Sequence, residues 1–311
     1  MTQNYSETGL MEFQRRFRTE AACRKHLFKL RWPEGFQCPR CGHGEYFNLP
    51  KRKLFQCKSC GHQTSVTAGT VMHRTRTPLR KWFWAIYLAA SDKRGLSALQ
   101  LSKKLGVSYY VAWTMLHKIR RAMADRNDLY QLRGIIEIDE SFYGGKPGGG
   151  GKRGRGTSKA PVMIEASTFD DGKGGRGLGF ARMRVIGKAD AATIVGVAGK
   201  DVERGQKIVT DGWAAYGAVK ALGHEHAPEV AAKRSGISGE APGLKWVHIL
   251  ASNSKAFLRG TFHGVGRKHL QSYLDEFCYR FNRRRWEGQL FDRLVLACAS
   301  SNGVTYSELT A

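Results

Sequence analysis

Apolar residues recur at helical spacing in the first part of the chain and at strand spacing in the second part. Between residues 8 and 31, large apolar side chains alternate with basic ones in a pattern that predicts one or two amphipathic helices. Residues 77–94 carry Pro78 near a predicted helix start and then a wide aromatic and aliphatic face, so we expect a buried helix there. From residue 134 the apolar runs are short and rich in β-branched residues, which is typical of strands.

A helix-turn-helix is predicted within residues 77–126. The residues on both sides of Gly106 have helical spacing, and Ser108 stands where it would cap the second helix. In this arrangement the second helix enters the major groove of DNA. A plain helical hairpin with a basic, solvated face would give the same pattern. The DNA-contacting residues predicted here are Lys118, Arg120 and Arg121.

Two predicted strands each end at an aspartate. The run at residues 135–138 leads to Asp139, and the run at residues 207–210 leads to Asp211, which a glycine follows. Aspartates at the ends of neighbouring strands can share a divalent cation such as Mg²⁺, as in two-metal phosphoryl transfer. An aspartate before glycine is also common in ordinary turns, so the two strands have to be weighed together.

Four cysteines have the spacing of a structural zinc site. Cys38 and Cys41 form one CxxC pair, Cys57 and Cys60 form a second, and 15 residues separate the pairs. Two such turns joined by a short hairpin predict a tetrahedral Zn²⁺ site in a zinc ribbon at residues 35–66, with no position open to substrate. Free structural cysteines and redox CxxC motifs are the alternatives. The total of seven cysteines favours a reducing compartment over a disulfide framework.

The charge of the chain indicates a polyanionic partner. The formal net charge is +25, of which residues 1–133 hold +17. An excess of this size indicates nucleic acid, with an anionic membrane surface as the alternative. The sequence contains no apolar run of the roughly 20 residues that a membrane span needs, and its N-terminus lacks the pattern of a signal peptide. The expected location is therefore the cytoplasm, in association with the nucleoid.

Further basic residues are predicted to contact DNA. Between residues 144 and 156, glycines alternate with lysine and arginine in a segment that could order on a DNA backbone or serve as a linker. A helix predicted at residues 268–285 has a buried apolar stripe and basic residues near both ends. The residues in question are Lys152, Arg153, Arg155, Arg267, Lys268, Arg283 and Arg284.

A third ligand for a divalent cation is less evident in the sequence. Residues 245–264 contain no carboxylate. Asn253 supplies an oxygen donor there, but an amide carbonyl brings no charge, so a lower metal affinity is expected than with glutamate. Asp275 and Glu276 lie in the next predicted helix and are expected to be surface or salt-bridging groups.

These motifs resemble the zinc-ribbon DDE-type transposases of bacterial insertion sequences, in the branch related to the Merlin elements. The resemblance covers most of the chain. Besides the two CxxC pairs, it rests on the runs at residues 137–145, 153–156, 161–162, 209–216, 247–249, 252–255, 260–264 and 268–284.

The resemblance implies an α/β fold with a mixed sheet. A ribonuclease H-like catalytic domain with basic C-terminal helices would occupy residues 134–311. It would follow an N-terminal helical segment at residues 1–34, the zinc ribbon and the helix-turn-helix.

The resemblance also implies a site and a reaction. Asp139, Asp211 and Asn253 would form the catalytic triad, since part of the family carries Asn where Glu is usual, and Lys255 would be a nearby basic residue. Mg²⁺ or Mn²⁺ would be the catalytic cofactor. The enzyme would hydrolyse a phosphodiester at each element end and use the freed 3′-hydroxyl to attack target DNA. Its partners would be double-stranded DNA, at the terminal inverted repeats and the target, and further copies of the chain, because two ends must be brought together.

Two other functions remain open at this point. A DNA-binding regulator with a zinc ribbon, a helix-turn-helix and an inactive ribonuclease H-like domain explains the charge and the zinc, but not the two strand-end aspartates. A DNA nuclease without strand transfer would share every active residue. His248 and His263 could orient phosphate or water, or they could be structural.

Overall fold

The computed structural model describes residues 8–144, 159–170, 172, 175–229 and 244–311. The chain divides into two compact units, one formed by Met1–Arg126 with Trp286–Ala311 and the other by Asn127–Arg285. The C-terminal residues from Trp286 onward thus belong to the first unit, whereas the sequence predicts a single catalytic domain that continues to residue 311.

The described residues form ten α-helices and eight strands, numbered in chain order. The helices are α1 (Leu10–Arg16), α2 (Glu20–Arg31), α3 (Leu79–Ser91), α4 (Ala98–Leu105), α5 (Tyr109–Asn127), α6 (Ala191–Asp201), α7 (Lys245–Phe262), α8 (Arg267–Asn282), α9 (Leu290–Ser300) and α10 (Tyr306–Thr310). The strands are β1 (Tyr46–Leu49), β2 (Leu54–Cys57), β3 (Gln63–Thr64), β4 (Ile135–Tyr143), β5 (Ala160–Asp170), β6 (Arg176–Val185), β7 (Lys207–Thr210) and β8 (Glu225–Pro228), and 3-10 segments cover Ala214–Leu222 and Arg284–Gln289.

Aromatic side chains form the core of the first unit. The ring of Phe13 in α1 lies 4.3 Å from that of Tyr87 in α3 and 5.1 Å from that of Phe291 in α9, measured between centroids. Phe17 and Phe83 join the same cluster, with centroids 4.8 Å apart. Large rings of this kind contribute much of the apolar area that a small unit buries. The burial of Phe291 therefore accounts for the presence of α9 in this unit.

The zinc ribbon is a three-stranded antiparallel sheet in the order β1-β2-β3. The ring of Phe55 on β2 lies 5.2 Å from that of Phe28 and 5.8 Å from that of Trp32, both at the C-terminal end of α2. A ribbon this small buries little apolar surface by itself, so the packing of α2 against it adds to what the metal contributes.

The helix-turn-helix consists of α4 and α5. Gly106 ends α4 in the left-handed conformation, with φ of 57°, which glycine adopts without steric cost. The hydroxyl of Ser108 accepts a hydrogen bond of 3.3 Å from the backbone N–H of Val111. The predicted turn and the predicted cap of the second helix are thus both present.

The second unit is built on a five-stranded mixed sheet in the order β6-β5-β4-β7-β8. β4 pairs antiparallel with β5 and parallel with β7, and β8 is parallel to β7. This order and these directions are those of a ribonuclease H-like sheet, as the sequence predicts. One face packs against α7 and α8, and the opposite face packs against α6 and the 3-10 segment Ala214–Leu222.

Candidate active site, metal centre and basic residues

Asp139 lies on β4, the central strand of the sheet in the second unit. Side chains alternate between the two faces of a strand, and the neighbours of Asp139 on its own face are Glu137 and Ser141. Ile136 and Ile138 point to the opposite face, into the core beneath α6. The side chain of Asp139 keeps 22% of its surface exposed. The strand therefore supplies a carboxylate that a ligand can reach.

Asp211 follows the last residue of β7 and is exposed. The parallel register pairs Ile136 with Ile208 and Glu137 with Val209. When this register is continued by two residues, Asp211 pairs with Asp139. Neighbouring strands are about 4.8 Å apart. The backbone N–H of Trp213 donates a 3.0 Å hydrogen bond to the Asp211 carboxylate, which orients it. The pairing of β4 with β7 thus places both predicted aspartates at the same end of these two strands.

Tyr216 and Glu140 are functional candidates to which the sequence assigns no role. The buried hydroxyl of Tyr216, in the 3-10 segment after β7, donates a 2.7 Å hydrogen bond to Glu140 Oε2. Burial raises the pKa of Tyr216 far above its usual range, and the negative charges of Glu140, Asp139 and Asp211 raise it further. Glu140 is thus the hydrogen-bond partner of the hydroxyl, and the two aspartates act on it through their charge. Both residues lie inside motifs of the resemblance, next to the aspartates, which is the signal that could have identified them.

Glu137 fixes the start of α7. Its side chain is 1% exposed, and Oε2 accepts hydrogen bonds from the backbone N–H groups of Trp246 at 2.8 Å and Val247 at 3.2 Å. These are first-turn amides of the helix, which have no partner within the helix itself. Burial raises the pKa of Glu137, while the two amides act in the opposite direction. The strand that carries Asp139 thus also determines where α7 begins.

A small cleft opens between Asp139 and α7. Its volume is about 190 Å³, and its lining includes Asp139, Ser141 and His248. His248 Nε2 lies 4.0 Å from Asp139 Oδ2, so the imidazole is near the carboxylate but beyond hydrogen-bonding distance. Lys255 Nζ donates a 2.7 Å hydrogen bond to Ser141 Oγ. Burial, with the charges of Lys159 and Arg259, lowers the pKa of Lys255.

Asn253 is exposed on α7. At 100° per residue it lies about 140° around the helix from His248, whose ring lies near Asp139. No hydrogen bond joins Asn253 to Asp139 in the described part of the chain, and its role as a third ligand stays a prediction. His263 is exposed at the end of the helix, with φ of 53°.

The acidic residues of α8 are structural. Glu276 is 3% exposed and forms a 3.0 Å ion pair with Arg280, as the salt-bridging interpretation predicts. Asp275 accepts a 3.0 Å hydrogen bond from Gln271 on the same helix.

The carboxylates of Asp139 and Asp211 supply part of the ligand set that a divalent cation needs. Asp139 and Asp211 provide hard oxygen donors on adjacent strand ends, the type of ligand that Mg²⁺ and Mn²⁺ prefer. Glu140 points to the opposite face of β4, towards Tyr216. Within the ranges that the structure describes, three or more metal-ligating side chains come close together at the four cysteines but not at the carboxylates. The aspartates are therefore a pair that substrate oxygens, water or an amide would have to complete.

The four cysteines of the ribbon form a structural zinc centre. The sulfur atoms of Cys38, Cys41, Cys57 and Cys60 all lie within 4.8 Å of one another, and two of the pairs are 3.6 Å apart. Zn–S bonds of about 2.3 Å in a tetrahedron require sulfur atoms about 3.8 Å apart, so the spacing fits the ion. Although burial opposes it, hydrogen bonds from backbone N–H groups, first that of Arg40, lower the pKa of Cys38 to about 7.

The predicted DNA-contacting residues differ in their accessibility. Arg120 is 3% exposed and Arg283 is 9% exposed, so burial argues against direct phosphate contacts for both. Arg283 donates to the side-chain oxygen of Asn127 at 2.9 Å, and Arg284 donates to the carbonyl of Gly179 at 3.0 Å. Both arginines thus stabilise the second unit.

The other residues predicted to contact DNA are more exposed to solvent or lie outside the described residues. Lys118 is half-buried, and burial lowers its pKa. Arg121 is exposed and forms a 2.8 Å ion pair with Asp125. Arg267 and Lys268 are exposed at the start of α8. The three from the glycine-rich loop, Lys152, Arg153 and Arg155, lie outside the described residues.

None of the helices in the described ranges is long and apolar enough to cross a membrane. This finding agrees with the lack of a long apolar run in the sequence.

Comparisons with solved structures give weak similarities. A pre-cleavage Mos1 transpososome is 14% identical, with a TM-score of 0.26, over 70% of this chain and 78% of that one. A simian T-cell lymphotropic virus intasome in complex with the PP2A regulatory subunit B56 gamma is also 14% identical, with a TM-score of 0.28, over 58% and 63%. The sheet order described above identifies the fold.

Sequence comparisons are more informative. An uncharacterized protein in transposable element ISH50 of Halobacterium salinarum (strain ATCC 700922 / JCM 11081 / NRC-1) is 29% identical over 182 residues, which are 51% of this chain. The chain spans 58% of the length of that curated relative. The transposase zinc-ribbon domain matches residues 18–63, and the ISXO2-like transposase domain matches residues 131–282. The two matches include the zinc centre and both strand-end aspartates, and the matched residues are therefore assigned to a transposase zinc-ribbon domain and an ISXO2-like transposase domain.

Proposed function

We propose that the protein is an insertion-sequence transposase that binds the ends of its element and catalyses metal-dependent DNA cleavage and strand transfer. The observation that supports the proposal is the parallel register of β4 and β7, which pairs Glu137 with Val209, two residues before Asp139 and Asp211. The site lies inside the matched transposase domain. A regulator with an inactive domain would not require this pair of carboxylates.

In the proposed reaction, Asp139 and Asp211 would hold Mg²⁺ or Mn²⁺, and Asn253 would contribute an amide oxygen. The bound metal supplies electrostatic stabilisation of the attacking and leaving oxygens of the phosphodiester. Lys255, held near the cleft by Ser141, and His248, beside Asp139, orient the phosphate. Tyr216 and Glu140 keep the two strand ends in position. Water attacks the phosphorus atom and breaks its bond to the 3′ oxygen, which leaves a 3′-hydroxyl and a 5′-phosphate. That hydroxyl then attacks a phosphorus atom of the target strand and displaces the 3′ oxygen of the target.

The proposed partners follow from this reaction. Double-stranded DNA is both substrate and target, and the excess of positive charge favours its binding. Two ends must be joined in one event, so we propose a homo-oligomer on DNA. The enzyme would act in the cytoplasm at the nucleoid.

Cleavage and joining of a labelled duplex that carries the element ends would test the proposal. In Mg²⁺ or Mn²⁺ the wild-type protein should give new 3′ ends and joined products. Asp139→Ala and Asp211→Ala should each reduce both by at least about 10³-fold, because each removes a charged ligand, while DNA binding persists. Asp170→Ala, which removes an exposed carboxylate at the far end of β5, is the matched control and should retain activity.

Other outcomes would select a different function. Tight binding to the ends without metal-dependent cleavage by the wild type would favour the regulator. Cleavage without joined products would favour the nuclease. Asn253→Ala tests the third ligand, because loss of an amide ligand should raise the metal concentration needed for half-maximal cleavage.

A further inference from the structure

A wide basic cleft lies within the first unit, on a surface for which the sequence predicts no role. Its volume is about 1090 Å³. The walls come from α2, the β1–β2 turn of the zinc ribbon, the segment that leads into α3, and the end of α4. The zinc ribbon and the helix-turn-helix thus border the same cleft.

Positive charge dominates the lining. Seven Lys and Arg residues line the cleft, against one acid, Glu20. Arg18, Arg76, Arg80 and Lys104 are exposed, and none of them forms an ion pair with a carboxylate of the described residues. Fixed cations without counter-charges raise the local concentration of an anionic ligand.

The acid in the cleft is already engaged. The Glu20 carboxylate accepts hydrogen bonds from the backbone N–H groups of Leu79 at 2.8 Å and Arg80 at 3.1 Å. It therefore caps the start of α3, and the positive end of that helix compensates its charge. The net field in the cleft remains that of the arginines and lysines.

Hydroxyl groups and apolar side chains complete the lining of the cleft. Thr19, Ser65, Thr67, Thr75 and Thr77 border the cleft, together with the apolar side chains of Trp84 and Leu105. Phosphate oxygens in protein–DNA complexes are contacted by arginine, lysine and hydroxyl side chains, the mixture present here. A site for a small neutral molecule would carry fewer charges.

The recognition helix α5 offers less accessible charge. Arg120 is buried, and Arg121 is paired with Asp125. The ring of Tyr306 in α10 lies 4.6 Å from that of Tyr110 near the start of α5. The negative charge of Glu308, also in α10, acts on Lys118. The cleft is therefore the richer source of unpaired cations in this unit.

We propose that this cleft binds the phosphate backbone of duplex DNA, so that the zinc ribbon and the helix-turn-helix contact DNA through one shared surface. The proposal rests on the proposed function for the identity of DNA as the partner. The contacts are to phosphates, so they add affinity for any duplex and position the element end without reading its sequence.

Equilibrium binding of the full chain to fluorescent duplexes tests the proposal. One duplex carries an element end, the other an unrelated sequence, and the salt concentration is varied. The variant Arg18→Gln, Arg76→Gln, Lys104→Gln should lose about 10- to 100-fold in affinity at 0.1 M salt, and its slope of log K against log salt should fall by about 2.7. Both duplexes should be affected equally, because phosphate contacts do not depend on sequence.

A control variant carries the same change of charge elsewhere. Lys25→Gln, Lys29→Gln, Lys93→Gln replaces three exposed residues of the same unit outside the cleft, and its slope should change by less than half as much. Arg18→Lys, Arg76→Lys keeps the charge and should keep the slope. Zinc content and circular dichroism establish that each variant is folded.

The outcomes separate this proposal from the proposed function. If the wild type, the cleft variant and the control variant bind DNA with equal affinity, the cleft is not a DNA site, even if metal-dependent cleavage is observed. A loss confined to the element-end duplex would also overturn it, because it would indicate base recognition. A cleft variant that loses binding to both duplexes supports the site even if the wild type shows no cleavage.

Discussion

Tyr216 carries a buried hydroxyl that would act on the proposed catalytic site without touching substrate. Its hydrogen bond to Glu140 links the segment after β7 to the strand that carries Asp139. We infer that Tyr216 is a positioning residue, because it acts through the two strand ends.

The variant Tyr216→Phe should reduce cleavage by about 10- to 100-fold, since small displacements of catalytic groups have effects of this size. It should also raise the Mg²⁺ concentration needed for half-maximal rate. Tyr143→Phe is the matched control, because it removes the same kind of buried tyrosine hydrogen bond. Tyr143 lies on β4, and its hydroxyl is 2.6 Å from Ser254 Oγ. Each change should destabilise the protein by about 1 kcal/mol. An identical metal requirement in both variants would contradict a positioning role for Tyr216.

At the scale of elements, α7 depends on one buried carboxylate. Glu137→Ala would leave the amides of Trp246 and Val247 without their acceptor, so the free energy of unfolding should fall by about 1–3 kcal/mol. Glu137→Gln keeps an acceptor and should lose less. Urea unfolding measures the loss, and hydrogen exchange at the amide of Trp246 localises it.

Glu225→Ala provides the comparison for that measurement. Glu225 forms a 2.8 Å ion pair with Lys207 on the surface of the sheet, with 64% of its side chain exposed. Exposed pairs contribute little, so the change should be below about 0.5 kcal/mol. Equal losses in the Glu137 and Glu225 variants would show that Glu137 does not cap the helix.

The elements that carry the site could be predicted because their signals are local. The strand ends at Asp139 and Asp211, the two CxxC turns and the turn at Gly106 follow from patterns within a few residues. The position of α9 depends instead on rings brought together from distant parts of the chain, such as Phe13 and Phe291. The sequence alone could not indicate that contact.

The contacts of basic residues could not be predicted from the sequence either, because they too depend on distant parts of the chain. Arg283 has the sequence context of a DNA contact, but its partner is Asn127, 156 residues earlier. A long cationic side chain can cover apolar surface and reach a buried acceptor as readily as it can reach phosphate. Only the tertiary structure separates these uses, and for that reason the cleft residues were not among the predicted contacts.

For the whole molecule, the proposed DNA binding and the proposed cleavage involve different units of the chain. The first unit holds the zinc centre, the helix-turn-helix and the basic cleft, and the second unit holds the carboxylates. Binding and cleavage should therefore be separable by mutation. Cleft variants should impair binding first, and aspartate variants should impair cleavage alone.

The stability of the whole molecule should depend on pH through Asp275. Burial raises the pKa of its carboxyl to about 6, although the hydrogen bond from Gln271 opposes the shift. In the unfolded chain the pKa is about 3.9, so the folded state binds the proton more tightly. Its contribution is fully present below about pH 4 and is lost as the pH rises through 6. The loss amounts to at most about 3 kcal/mol, reduced by water that reaches this half-buried group.

Asp275→Asn removes this titration and keeps an oxygen that can accept from Gln271. Urea unfolding between pH 4 and pH 8 should show that the stability of the variant relative to the wild type increases with pH, with most of the change between pH 4 and pH 6, the interval between the unfolded and folded pKa values. The difference between the two proteins cancels the titration of the other carboxylates. Glu203→Gln, which alters an exposed surface pair with Arg133, should give curves parallel to the wild type. A constant difference between Asp275→Asn and the wild type would show that Asp275 titrates normally in the folded protein, and its burial would then have no energetic consequence near neutral pH.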